Sequence, residues 1–421
     1  MRIFKFVKLA IVSIFLFTSA ATPVFADPDE QFATDEVVIK LTSPMHLRRV
    51  AKRFRLSPSP IEQFGKRPIY RMRILDGADP FLKATQLAAD PFGHVEFAEP
   101  NFNTQAPEAS RRGSSWSIGG STTEYVNQWF REPLRIEQAH QQTQGSGVKI
   151  AILDTGIDLT HPAFAGRLVS GYDFVDGDSD PSETGVFGNN PGFGHGTHVA
   201  GLASLVAPQA QIMPIRVLDP DGVGNIWVLA EALAFAADPD GDPQTDDGAD
   251  IINLSLATRR ETRLLEMIIR EISCSGDNDF KAGTSNCETP GQRGILVAAG
   301  AGNRTSSILE FPAGESIPGL VSVGASNQTN ELASFSNFGT WVDIAAPGQS
   351  ILSTVPGGAF GTWNGTSMST PLVAGAAALI RAQNPDWSAT IIEERIISSG
   401  VDIISPNPPL KRIDIAACVG Q

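Results

Sequence analysis

From residue 128 onward, short runs that are apolar throughout alternate with longer segments whose apolar positions recur every three to four residues. The runs are Val148 to Leu153, Ile212 to Leu218, Ile251 to Leu256 and Ile295 to Ala299. The helical segments are His195 to Val206, Ile226 to Ala237 and Thr262 to Ile272. A strand with one wet face is apolar at every second residue, so continuous apolar runs predict strands buried on both sides. The expected fold class is therefore α/β: a parallel sheet with helices on both faces. Residues 27–104 follow another pattern. Glu36 to Leu41, Ile69 to Ile74 and Val95 to Asn101 read as strands, and Leu47 to Phe54 and Pro80 to Ala89 as helices. They predict a small α+β domain. Between the two, residues 105–127 are rich in Ser, Gly, Arg, Ala and Pro without a hydrophobic period, and read as a linker; within it Arg111-Arg112 is either a dibasic processing site or a solvated pair.

Residues 1–26 change the picture of where the chain works. Arg2, Lys5 and Lys8 precede an apolar stretch from Leu9 to Phe17, and Pro23-Val24-Phe25-Ala26 offers a cleavage site. This is the layout of a secretory signal peptide. The apolar run falls short of the roughly 20 residues a spanning helix needs, so no membrane anchor is expected and the destination is extracellular or periplasmic. The formal charge of −14 is unevenly spread: three basic residues sit in the leader, residues 27–104 balance 11 basic against 11 acidic side chains, and the remainder carries −17. Such acidity argues against nucleic-acid partners. Cys274 and Cys287 bracket a polar loop and are placed to close it as a disulfide, which leaves Cys418 over.

Four segments carry candidate chemistry. Ser367, in Asn364-Gly365-Thr366-Ser367-Met368-Ser369-Thr370-Pro371, lies between a glycine turn and a long small-residue helix. A serine hydroxyl is a poor nucleophile until a base takes its proton and N–H donors stabilise the resulting oxyanion. Asp154 ends the strand in Val148-Lys149-Ile150-Ala151-Ile152-Leu153-Asp154-Thr155-Gly156, and His195 opens the helix in Gly194-His195-Gly196-Thr197-His198-Val199-Ala200-Gly201. Asn303 follows the Ile295 strand as a candidate amide donor. Taken singly, each has a plainer reading. Ser367 suits a helix cap, and Asp154 in Asp-Thr-Gly suits a turn. His195 and His198 share a helical face, but the usual two-histidine zinc helix spaces them by four with an intervening glutamate, so His198 reads as a packed residue. What favours catalysis is their joint occurrence: four local patterns, each on its fitting element, with Asp154, Ser255 and Asn303 all at strand C-terminal ends where such sheets bind ligands.

These motifs, in the order Asp, His, Ser, resemble the active-site signatures of the subtilisin-like serine proteases across residues from about 125 to the C-terminus. The resemblance implies a subtilisin-like sheet domain over residues 128–421 and a pro-domain over 27–104 that templates folding and blocks the cleft until cleaved. It implies that Ser367 attacks the scissile carbonyl, His195 shuttles the proton, Asp154 orients the imidazole, and Asn303 donates to the oxyanion. Ser255-Leu256-Ala257 would pair with an extended peptide, Ala257 standing where glycine is usual. Glu310, in Glu310-Phe311-Pro312-Ala313, would close the pocket for the residue before the scissile bond and favour Arg or Lys there. No cofactor is expected for catalysis, and structural Ca²⁺ is. Asp173, Asp176, Asp178 and Asp180 resemble a calcium loop of some relatives, and Asp238, Asp240, Asp242, Asp246 and Asp247 form a second acidic loop; solvated turns are the alternative for both. Ala207-Pro208-Gln209-Ala210 stands where many relatives carry an Asn-bearing calcium loop. The expected protein is an exported, autoprocessed, monomeric endopeptidase acting on protein or peptide substrates and bound by its own pro-domain. The alternative is a catalytically silent binding protein on the same scaffold.

Overall fold

The computed structural model describes residues 32–109, 117–242, 245–274, 293–405 and 408–420, so the expected leader lies outside it. Nine strands form the main sheet, in the order Val401–Ile403, Leu410–Arg412, Ile344–Pro347, Leu320–Ser326, Leu296–Gly300, Ile251–Leu254, Lys149–Asp154, Gln211–Arg216 and Tyr172–Asp173. All neighbours are parallel except the first pair. Burial on both faces explains the unbroken apolar runs. Along one strand, Ile150 and Ile152 join the core beneath the helices His195–Val206 and Thr366–Gln383, whereas Ala151 and Leu153 join the opposite core beneath Ile226–Ala237 and Arg263–Cys274. Cys274 is disulfide-bonded, its expected partner Cys287 lies outside the described residues, and Cys418 is a buried free thiol.

The N-terminal unit is an antiparallel sheet ordered Glu62–Gln63, Ile69–Arg73, Phe32–Leu41 and Val95–Gln105. Asp79 caps the helix Pro80–Ala88 through Phe81 N and Leu82 N, with proline pre-set at the first helical position. Val37, Ile39 and Leu41 pack against this helix and Leu47–Phe54. Val38 points the other way, into the same core as Trp227 and Leu264 of the main domain. This sheet is thus also covered on both faces, the second time by the main domain. Glu99 accepts hydrogen bonds from Arg263 N and Leu264 N at 2.8 and 3.0 Å, placing a carboxylate at the positive end of the helix Arg263–Cys274. The stretch expected to be a linker is structured at both ends. Gln105 completes the strand from Val95, Ser117–Ile118 pairs with Ala359–Trp363, and Thr122–Val126 is helical. Backbone pairing to the main domain, which needs no hydrophobic period, orders what composition alone reads as loop.

Candidate active site

Asp154, His195, Asn303 and Ser367 meet beyond the C-terminal ends of the central strands, and all four are buried. Asp154 Oδ1 accepts from His195 Nδ1 at 2.7 Å and from Thr155 N at 2.8 Å. Burial disfavours a charged imidazole, but the carboxylates of Asp154 and Glu108 outweigh it and raise the His195 pKa to about 10. The pKa of His198, three residues on, is pushed down to about 3, chiefly by burial; its Nε2 lies 3.1 Å from the carbonyls of Ile351 and Gly361, a neutral packed histidine as expected.

Ser367 lies in the first turn of the helix Thr366–Gln383. Pro371 has no N–H to offer the Ser367 carbonyl four residues back, and that carbonyl accepts from Ser255 Oγ at 2.9 Å instead. The helix carrying Ser367 is thereby tied to the segment Ser255-Leu256-Ala257. Asn303 Oδ1 accepts from Thr366 N at 2.9 Å and from Thr366 Oγ1 at 3.1 Å. With its oxygen so engaged, its Nδ2 must point into the site.

The tail of the N-terminal unit fills the cleft. Residues Asn103 to Gln105 pair antiparallel with Val223–Asn225, and Gln105 exchanges two hydrogen bonds with Ala257, N to O at 2.8 and 2.9 Å. The tail is therefore the middle strand of three, which is how an extended peptide is held by main-chain bonds. Ala106 N donates to Gly222 O, and then Pro107 ends the pairing and the chain turns, Ala109 N donating to Ala106 O. The turn delivers the Glu108 side chain to the reactive groups. Glu108 Oε2 accepts from Ser367 Oγ at 2.6 Å and lies 3.2 Å from His195 Nε2, while Oε1 accepts from Asn303 Nδ2 at 2.6 Å. Burial works to raise the Glu108 pKa, but bonds from His195, Ser367 and Asn303 win and hold it below the usual carboxylate value. Gly365 is required by this approach, since a Cβ there would overlap Glu108 Oε1. Nothing in the composition of 105–127 marks Glu108.

Glu310 points inward. It is buried, its Oε1 pairs with Arg304 Nε at 2.8 Å, and burial raises its pKa to about 7. It packs so closely under Gly302 (φ +97°) that a Cβ there would overlap its Oε2. Its segment is stitched to the chain just after Ser255-Leu256-Ala257 by Thr258 and Phe311, which exchange N–H···O bonds of 2.7 and 2.8 Å.

In the first acidic loop, set out above as either a calcium site or solvated turns, two of the four aspartates share a protein cation. Asp173 and Asp176 are bound by the guanidinium of Arg216 at 2.6 and 2.5 Å. Asp178 accepts from Asp180 N, and Asp180 from Ser182. An arginine ending a buried neighbouring strand supplies the positive charge, and Asp178 and Asp180 cap turns. Among the described residues, the carboxylates that do converge are Asp238, Asp240 and Asp247, with oxygens within 4.8 Å of one another.

Comparison with known proteins places the chain in a family. Residues 145–408 match the model of the subtilase family. The chain is 38% identical over 301 residues to a thermophilic serine proteinase of Bacillus sp. (strain AK1), covering 69% of this chain and 64% of that one. It is 36% identical over 289 residues to Subtilisin BL of Lederbergia lenta, covering 66% and 93%. Fervidolysin of Fervidobacterium pennivorans superposes over 94% of this chain and 62% of its own with a TM-score of 0.70 at 20% identity, a likeness of fold. A protease of Pseudoalteromonas arctica superposes over 72% and 99% with a TM-score of 0.58 at 27% identity. With more than half its length matched to the family model, the chain belongs to the subtilase family.

Proposed function

We propose that the protein is an exported serine endopeptidase that hydrolyses peptide bonds in extended protein segments through an acyl-enzyme, and is made as a precursor that processes itself. The observation that carries this reading is the Glu108 carboxylate held at once by Ser367 Oγ, His195 Nε2 and Asn303 Nδ2. These three groups are the ones a scissile carbonyl needs, and they converge on a single anion. Once the tail leaves, Ser367 Oγ attacks the carbonyl carbon as His195 Nε2 takes its proton. Asp154 holds the other ring nitrogen and stabilises the imidazolium. The oxyanion forms where Glu108 Oε1 now sits, facing Asn303 Nδ2. His195 then gives its proton to the departing amine, and a water repeats the sequence to release the acid and restore Ser367.

The strand positions of Asn103 to Gln105 outline where substrate residues before the scissile bond would lie, between Val223–Asn225 and Ser255-Leu256-Ala257. Glu310, buried beneath that end of the cleft, supports a preference for Arg or Lys before the bond. The unit from 27 to 104 serves as inhibitor and, by its shared core, as folding template. No helix among the described residues is long and apolar enough to cross a membrane. The reaction calls on no metal. Asp238, Asp240 and Asp247 offer the hard oxygens structural Ca²⁺ takes, and a melting temperature raised by Ca²⁺ but not Mg²⁺ would support binding there.

The test is digestion of an unfolded protein such as casein, with the new N-termini sequenced. Activity lost in Ser367→Ala, and cuts following Arg or Lys, are expected. A well-folded chain that never cuts casein and never shortens its own N-terminus would instead be a silent binding protein.

A further inference from the structure

The helix that carries His195 begins without a cap of its own. Its N-cap residue is Gly194 (φ +90°), which has no side chain to satisfy the free N–H groups of the first turn. Two other segments supply the acceptors. Gly196 N donates to Thr155 Oγ1 at 2.9 Å, and Thr197 N donates to Glu183 Oε2 at 3.1 Å. Glu183 then joins the two threonines: Thr155 Oγ1 donates to its Oε1 at 2.5 Å and Thr197 Oγ1 to its Oε2 at 2.8 Å. Thr155 follows Asp154 directly, and its N–H binds Asp154 Oδ1. Thr197 Oγ1 also accepts from Asp158 N at 2.9 Å, and Glu183 N donates to Ile157 O, so the loop bearing Glu183 is itself anchored to the turn after Asp154.

We infer that Glu183 is a positioning residue: its inward-facing carboxylate clamps the end of the Asp154 strand to the first turn of the His195 helix and thereby holds carboxylate and imidazole in register. The inference rests on the proposed peptidase reading, because it assigns Glu183 a part in that same Asp–His–Ser chemistry. Glu183 touches no substrate. It acts through Thr155 and Thr197, and it does what a side-chain cap would do, with the difference that the acceptor comes from the opposite wall. A negative group at a helix N-terminus is favoured in its own right. Desolvation dominates the titration of Glu183 and, with Asp154 adding to it, raises the pKa to about 7 in spite of the bonds from Thr155 and Thr197. The charged groups around the pair are Asp154 and Asp158 on the strand side, His195 and His198 on the helix, and Glu108 while the tail is docked.

The experiment compares the processed enzyme with Glu183→Ala and Glu183→Gln, each normalised by titrating Ser367 with a fluorophosphonate so that only folded sites count. Loss of the clamp lets the imidazole drift, and a displacement of about 1 Å costs about 10²-fold, so kcat in Glu183→Ala is expected to fall by about 10- to 100-fold. KM should stay within about threefold, because the substrate strands are untouched. Glu183→Gln, nearly isosteric, keeps an acceptor for Thr197 and should retain more kcat. The Glu183 carboxyl titrates near 7 beside His195, so a side chain that does not titrate should also shift the acid limb of kcat/KM around that pH. A kcat per titrated site within twofold of the parent in both variants, with the acid limb unmoved, overturns the inference. The glutamine variant carries the test if the alanine variant does not fold. Absence of activity in the parent enzyme would instead sink the peptidase reading, so the two failures are distinguishable.

Discussion

Replacing Glu108 with alanine should open the active site of the intact chain. Its carboxylate makes three contacts of 2.6 to 3.2 Å with Ser367, Asn303 and His195, all in a buried setting. Hydrogen bonds involving a charged group are each worth about 1.5–3 kcal/mol. Desolvating the carboxylate offsets part of the sum, yet its pKa still falls on docking, so a net contribution of about 2–4 kcal/mol is expected. At 1.36 kcal/mol per decade this is a rise of about 30- to 1,000-fold in the fraction of chains with the tail lifted. The assay is the rate of fluorophosphonate labelling of the uncut band, separated from processed protein on a denaturing gel. The ratio of variant to parent rates should also depend on pH. Glu108 has a lowered pKa when docked, so its hold is present above about 4.5 and is lost as pH falls through the docked value. His195 has a raised pKa when docked, so its share is full below about 6.5 and fades as pH rises toward about 10. Asp154 acts on His195 with or without the tail, so only the part due to Glu108 fades. The ratio should peak between these limits. A ratio near one at pH 5.5 would refute the plug reading and leave the strand pairing of residues 103–105 as the sole inhibitor.

Other expectations follow from the same geometry. Asn303→Ala should lower kcat by about 10²–10³ with little change in KM, a magnitude known for subtilisin's own oxyanion donor and carried over here. Arg304→Ala should remove one competing cation from Glu310, whose bond from Asn337 remains, and strengthen selection of Arg over Phe in a fluorogenic peptide panel by up to about fivefold, the size of a half-exposed ion pair. That selection should rise as pH passes 7, where the Glu310 carboxyl ionises; a pH-independent preference for Phe or Leu would reject the role given to Glu310. Arg216→Met leaves buried Asp173 uncompensated and should cost about 3–5 kcal/mol in chemical denaturation, with no rescue by Ca²⁺.

Much of this architecture is legible in the residues because periodicity reports burial. The helices His195–Val206 and Ile226–Ala237 begin and end where their apolar pattern does, and the sheet's strands show as unbroken apolar runs because each face has its own core. Asp154, His195, Asn303 and Ser367 stand out through the short-range chemistry of strand ends and helix starts. What escaped depends on partners distant in sequence. The Arg216 guanidinium reaches Asp173 and Asp176 only because two strands lie side by side, a pairing that the spacing of the aspartates does not reveal. Glu108 is one carboxylate in a polar stretch until the pairing of Gln105 with Ala257 aims it at Ser367. Glu183 sits in a loop, and its role exists only because Gly194 cannot cap the helix it opens.

The central claim is that Ser367 becomes a nucleophile when the tail departs. Peptide mapping by mass spectrometry after reaction of the processed protein with a fluorophosphonate tests it most directly. One adduct per chain, on the peptide containing Ser367 and absent from His195→Ala, is the predicted result; a folded, processed chain that remains unlabelled, or that carries the adduct on another residue, would contradict it.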